Sequence, residues 1–261
     1  MEELHHRLIR IGLEALAEDF GYRLAGGYAV QAHRLVSRVS DDVDLFTPIG
    51  RAEGELPQAI ARLVEAYQAA GYLVQVTQQA QVYARLHVTD PASGAQSKVE
   101  LVGDLLHHPP VASDLGPVLH LDDLAAAKTG ALFGRAEVRD AIDVNALLKA
   151  GYTRARLLEL AAQNEAEPSL DEYESALARV QHHTDKQFAA YGLDGPAAAA
   201  IRQEFAAWQR ELTDQVHAEA ARIREQVESS TEQPGKRSGD PLPAPAPRPG
   251  PNPNPGSPTR R

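Results

Sequence analysis

The apolar pattern of this chain changes period once, near residue 120, and that change restricts the fold more than any other feature. Before it, strand-like runs alternate with helical stretches; after it, apolar residues recur almost throughout at helical spacing. In the first part, Leu4, Leu8, Ile11, Leu16 and Phe20 mark an amphipathic helix from Glu2 to Phe20, and Gly21 supplies its stop signal. A short apolar piece, Tyr22 to Ala25, leads through Gly26 and Gly27 into a helical segment, Tyr28 to Val36, and then to an apolar run, Val43 to Thr47, closed by Pro48. A helix over Leu56 to Ala70 precedes three strand-like runs, Tyr72 to Thr77, Val82 to Val88 and Lys98 to Val102. The order predicts an α+β fold, a mixed sheet with helices packed against it.

Beyond His120 helices are expected over residues 122–133, 138–150, 153–163, 170–182 and 196–227. Trp208, with Phe205 and Ile201 on one stripe, is expected in the core. Domains are expected at 1–150, where the sheet and two helices complete one site, and at 151–228, a helical domain. The last stretch, 229–261, is dense in proline and nearly free of large apolar side chains, the composition of a disordered tail. No apolar run approaches the roughly 18 residues needed to cross a bilayer, and the charged opening MEELHHRLIR lacks the apolar core of a secretory signal. The expectation is a soluble cytoplasmic protein with no membrane partner.

Composition narrows the chemistry. With 0 cysteines, a metal must be held by carboxylates or histidines, and no cysteine nucleophile exists. The formal net charge of -10 argues against a surface that coats nucleic acid regardless of sequence, while leaving room for a local basic patch. The adjacent histidine pairs His5-His6, His107-His108 and His182-His183 point apart on a helix or a strand, so they are expected in roles other than metal ligation.

Within Ser40-Asp41-Asp42-Val43-Asp44-Leu45-Phe46, residues two apart on a strand share a face, so Asp42 and Asp44 converge while Val43 and Leu45 turn inward. Two carboxylates this close repel unless a cation neutralises them, and such a pair suits Mg²⁺ together with substrate phosphate oxygens. An EF-hand is excluded, because Thr47 and Glu53 stand where glycine and glutamate are required. The plain alternative is a turn at a strand entrance. Gly26 and Gly27, between strand and helix, would let backbone N–H groups approach a phosphate. Glu100, in the alternating run Lys98-Val99-Glu100-Leu101, is a candidate third carboxylate or else an exposed strand glutamate.

The run from Gly26-Gly27 through a short helix to Ser40-Asp41-Asp42-Val43-Asp44-Leu45-Phe46 resembles the AbiE-type (AbiEii-like) toxin nucleotidyltransferases of the polymerase-β-like superfamily. A second stretch, Lys128, then Arg135, then Arg139-Asp140-Ala141-Ile142-Asp143, is similar to that family's helical motifs. The resemblance spans roughly residues 20–150. It implies a polymerase-β-like nucleotidyltransferase fold and transfer of a nucleoside monophosphate from an NTP to an RNA acceptor, a tRNA, by the toxin of a toxin–antitoxin pair. It places two Mg²⁺ ions on Asp42, Asp44 and Glu100, with Lys128 on the triphosphate and Asp140 or Asp143 as a late essential aspartate. Gly26, Gly27, Ser40, Arg135 and Arg139 would complete the nucleotide site, and an antitoxin protein would be the partner. Glutamate at 100, where the family leads one to expect aspartate, is a departure. Arg139 and Asp143, four residues apart on a helix, could instead form a surface ion pair. An RNA would be met by a patch such as Arg135, Arg139, Arg154 and Arg156. Two other functions share the pattern: a small-molecule (antibiotic) nucleotidyltransferase, and a catalytically degenerate domain that binds nucleotide or a partner.

Overall fold

The structure is a computed structural model and describes residues 3–38, 40–164 and 170–231. The chain divides into two compact units, residues 1–217 and residues 218–261. In the second unit the described residues, 218–231, are helical.

The first unit opens with α1 (Glu3–Phe20), whose Leu4, Leu8 and Leu16 are buried as the spacing predicts, joined by Ile9 and Leu13, while Ile11 and Phe20 are partly buried at the edge of the stripe. Gly21, at φ +68°, reverses the chain where a side chain would be strained. It leads to β1 (Arg23–Leu24), α2 (Gly26–Ala32), β2 (Asp42–Pro48), α3 (Ile49–Ala69), β3 (Leu73–Gln79), β4 (Tyr83–Thr89), β5 (Gln96–Asp104), β6 (Val111–Ser113) and β7 (Gly116–Val118). The strands form a 7-stranded sheet in the order β3-β4-β5-β2-β1-β7-β6. Pairing is mixed: β2 runs parallel to β5 and β1 parallel to β7, and the other neighbours are antiparallel. One face of the sheet, carrying Val43, Leu45, Ala84, Leu86, Val88, Val99 and Leu101, is buried in the same cluster as the inward stripes of α1 and α3. The alternate positions on β2, β4 and β5 are less buried, and that polar face carries the chemistry.

The helical part comprises α4 (Leu121–Arg135), α5 (Val138–Lys149), α6 (Arg154–Ala162), α7 (Leu170–Gln181), α8 (Asp185–Ala189) and α9 (Gly195–Thr231). A second apolar cluster joins α4 and α5 to α6, α7 and α9 around Phe133, Tyr173, Phe205 and Trp208, with Trp208 fully buried as expected. Leu35, Val36 and Leu121 pack against both clusters. Of the tail expected from residue 229, residues 229–231 close α9, and 232–261 lie outside the described residues.

Three elements escaped the sequence reading. The strands β6 and β7 are 3 residues each, among Pro109, Pro110, Gly116 and Pro117. The helix α8 has 5 residues, too short for periodicity to register, though its capping box between Thr184 and Gln187 is a readable start signal. The helix α3 begins seven residues before the expected Leu56, because Gly50, Gly54 and Pro57 hide its first turns.

Candidate active site

Strand register brings the acidic residues together. Asp42 and Asp44 lie on the open face of β2, and in the parallel pair Asp44 stands opposite Glu100 while Asp42 stands opposite Lys98. Close packing also requires the two preceding glycines. A Cβ on Gly26 would fall 1.6 Å from Asp44 Oδ2, and one on Gly27 would fall 2.5 Å from Ser40 Oγ. Gly26 also holds φ +58°, so both space and backbone conformation demand glycine there. The start of α2 is thereby pressed against the carboxylate of β2.

Burial, and then the negative charge of Asp42, push the Asp44 carboxyl up to about 7, with Lys128 opposing. Lys98 Nζ lies 3.8 Å from Asp42 Oδ2. Glu100 is turned toward Arg85, whose Nε donates to it at 2.8 Å. Three carboxylates on one sheet face therefore have cations from β4 and β5 directly beside two of them.

A second layer lies behind. Asp143, fully buried, accepts two 2.7 Å hydrogen bonds from Arg38 and lies 2.9 Å from Lys128 Nζ. Burial alone would raise its carboxyl; Lys128 and Arg38 outweigh that and hold it below the usual range. The alternative, a surface pair of Arg139 with Asp143, does not form, because Asp143 faces inward on α5 while Arg139 meets Glu137 at 2.9 Å and Asp41 at 3.7 Å. Asp140, also fully buried, closes a capping box with Glu137 at the start of α5 and accepts two hydrogen bonds from Arg135, at 2.9 and 2.8 Å.

A polar cavity of about 180 Å³ joins these groups, lined by Gly27, Arg38, Ser40, Asp42, Asp44, Arg85, Lys98, Glu100, Lys128, Arg135 and Arg139. The expected site residues Gly26, Asp140 and Asp143 stand just behind this lining. Arg38, Arg85 and Lys98 were missed. Lys98 could have been found, since it alternates onto the face of Glu100; Arg85 reaches that face only through the pairing of β4 with β5, and Arg38 sits in an irregular segment and meets Asp143 across 105 positions, which no local pattern signals.

The patch expected for RNA is not assembled from free charges. Arg154 is held by Glu204 and Glu211, and Arg156 by Asp122 and Glu159. Histidines from separate segments do gather at one place. His108, His120 and Asp122 bring ligand atoms within 4.8 Å of one another, the group of three that closes among the described residues. His108 and His120 stack with centroids 4.4 Å apart, and His108 Nδ1 is 2.8 Å from Asp123. Both oxygens of Asp122 are already engaged, by Tyr152 and Arg156.

A mixed sheet with an acid pair at the head of a central strand, backed by basic and acidic residues from two helices, is the architecture of a nucleotidyltransferase. The chain belongs to the AbiEii family of nucleotidyl transferase toxins of type IV toxin–antitoxin systems, whose family model matches residues 7–229. Among solved structures, MenT4, the nucleotidyltransferase toxin Rv2826c of Mycobacterium tuberculosis H37Rv, is similar with a TM-score of 0.53 and 16% identity, over 80% of this chain and 84% of that one. JHP933 of Helicobacter pylori aligns over 84% of this chain and 95% of that one at 17% identity, with a TM-score of 0.44. No curated protein sequence matches the chain. Among the described residues no helix is long and apolar enough to cross a membrane.

Proposed function

We propose that this chain transfers a nucleoside monophosphate from an NTP to a hydroxyl of an RNA, a tRNA, in the presence of Mg²⁺, and that an antitoxin protein restrains it. The observation that carries the reading is the Asp42–Asp44 pair on one face of β2, with Gly26 packed against Asp44 and with Ser40 and Lys128 lining the same cavity. The donor set suits the metal: Asp42, Asp44 and Glu100 offer only hard oxygen atoms, and Asp44 sits where negative charge is disfavoured until a cation arrives. Bound there, Mg²⁺ would neutralise phosphate charge and make the attacking hydroxyl more acidic.

Lys128 supplies positive charge to the triphosphate and Asp143 positions it, by holding Lys128 and Arg38 at fixed places in a buried ion-pair network. Arg135 and Arg139 stand at the same wall and would take the departing pyrophosphate, Asp140 holding Arg135 in orientation. Gly26, Gly27 and Ser40 shape the floor under Asp44. Phosphoryl transfer asks mainly for positioning and charge neutralisation, and these residues are of the types that provide both.

The cavity, at about 180 Å³, accommodates phosphates and ions and leaves the rest of both substrates outside; the match to a family of toxins is what favours RNA over an antibiotic as the acceptor. The test is incubation with Mg²⁺, each α-³²P-labelled NTP in turn and total tRNA, with Asp42→Ala plus Asp44→Ala as control. Label on tRNA that the control lacks is the expected result. Label on no RNA, from a folded protein that still turns over NTP with a small acceptor, would defeat the reading.

A further inference from the structure

The polar face of the sheet does not end at the catalytic acids. Register extends it outward in two rows, Asp42–Lys98–His87–Gln75 and Asp44–Glu100–Arg85–Gln78, each residue opposite the next on β2, β5, β4 and β3. Residues opposite one another share a face, and at about 4.8 Å per strand the glutamines lie on the order of 14 Å from the acids. The helix α3 packs against the other side of β3, β4 and β5. His87, Gln75 and Gln78 are exposed, and Arg85 and Lys98 keep 37% and 42% of their side-chain surface.

The charge of this stretch is unusual for the chain. With 36 acidic against 26 basic residues overall, no Asp or Glu occurs between Glu65 and Asp90, the whole of β3 and β4. Tyr83, Arg85 and His87 lie on β4, with Arg85 5.7 Å from the centre of the Tyr83 ring. An acid-free strip with amides, an arginine, a histidine and a tyrosine, leading to the acids, is where a polyanion can reach the site of an otherwise acidic protein.

Resting on the reading that the acceptor is RNA, we infer that the face of β4 and β3, through Arg85, His87, Gln75 and Gln78, is the track along which the single-stranded end of the acceptor lies as its terminal hydroxyl enters the site. Lys98 and Arg85, beside Asp42 and Glu100, mark where track meets site; a cation on the acids would release both toward RNA phosphates.

The test uses the full chain and a fluorescein-labelled single-stranded RNA of about ten nucleotides with a free 3′ hydroxyl. Anisotropy binding with Mg²⁺ is measured beside the transfer assay, for Gln75→Glu plus Gln78→Glu and for Gln75→Lys plus Gln78→Lys, both checked for unchanged circular dichroism. The glutamate variant should weaken RNA binding about fivefold or more, and raise the KM for RNA equally, with kcat and the KM for NTP unmoved. The lysine variant should tighten binding and steepen its salt dependence, by about 0.7 in the log–log slope for each new phosphate contact. Unchanged RNA affinity in both variants overturns the inference. A wild-type protein that labels no RNA sinks the functional reading alone, since the binding shifts still decide the track. If sedimentation shows a dimer that the glutamate variant dissolves while RNA affinity stays fixed, the β3 edge pairs with another chain and the inference fails.

Discussion

Asp143 shows how much a single buried carboxylate can organise. It is fully buried and holds Arg38, itself 2% exposed, together with Lys128. Removing it takes from two largely buried cations the carboxylate they share, so Asp143→Ala should cost about 3–5 kcal/mol, read as a fall in thermal midpoint on the order of 10 °C. A midpoint within a degree or two of wild type would show that Arg38 and Lys128 relax freely. Its carboxyl is held low, so the stability it contributes is complete above the unfolded range near pH 4 and is lost as pH falls through the lower folded value. Asp44 has the opposite sign. Its carboxyl is raised to about 7, so between roughly pH 4 and 7 the folded chain holds a proton that the unfolded chain has released. Stability without a divalent ion should therefore fall as pH rises through that window, while Mg²⁺ should bind more tightly and release close to one proton per ion at about pH 6. Titration calorimetry in buffers of different ionisation enthalpy checks this; heats independent of buffer would show Asp44 already ionised.

At the scale of elements, glycines separate into those the fold requires and those it tolerates. Gly26→Ala would drive a methyl group into Asp44, at φ +58°, and should abolish transfer and weaken ion binding at least tenfold. Gly54, on the exposed side of α3, has nothing within 4 Å, so Gly54→Ala should raise stability by about 0.5–1 kcal/mol in a denaturant titration and leave activity alone. A Gly26→Ala enzyme with normal turnover would mean that β2 and α2 can part at no cost. The two glycines read alike as letters. What made Gly26 legible was its place before Ser40 and the Asp pair, and the reason inferred, an approach of phosphate to backbone, stands beside the approach of Asp44 that the geometry shows. The acid pair and Glu100 were legible because alternation carries a side chain's direction along one strand, whereas Lys128 was legible only through the resemblance of its stretch to the family's helical motifs. Arg38, Arg85 and the stacked His108 and His120 were not, since only pairing between distant segments brings them to their partners. The β6–β7 pair was lost for another reason: strands of 3 residues hold too few alternations to stand out from a turn.

Across residues 1–217 the site depends on both apolar clusters at once. The sheet that presents Asp42 and Asp44 belongs to the first cluster, while α4 and α5, which present Lys128, Asp140 and Asp143, bury their apolar faces in the second with Leu157, Leu160, Tyr173, Phe205 and Trp208. Leu35, Val36 and Leu121 touch both, and the Arg38–Asp143 pair ties the segment after α2 to α5. A chain ended after Ala150 would keep every acid and cation of the cavity yet leave the inner faces of α4 and α5 in water. Leu157, Phe205 and Trp208 alone would each remove a side chain worth about 1.5–3 kcal/mol of burial or more, against a total stability of about 5–15 kcal/mol for a typical domain. That truncated chain should bind an apolar dye, lose its cooperative melt and show no transfer, whereas residues 1–217 should melt in one transition that tryptophan fluorescence at Trp208 and far-ultraviolet circular dichroism report at the same temperature. Trp208 lies in the second cluster and the strands in the first, so two separated transitions, with Trp208 released while the strands persist, would show that the clusters fold independently and that the catalytic helices are carried by a separable domain.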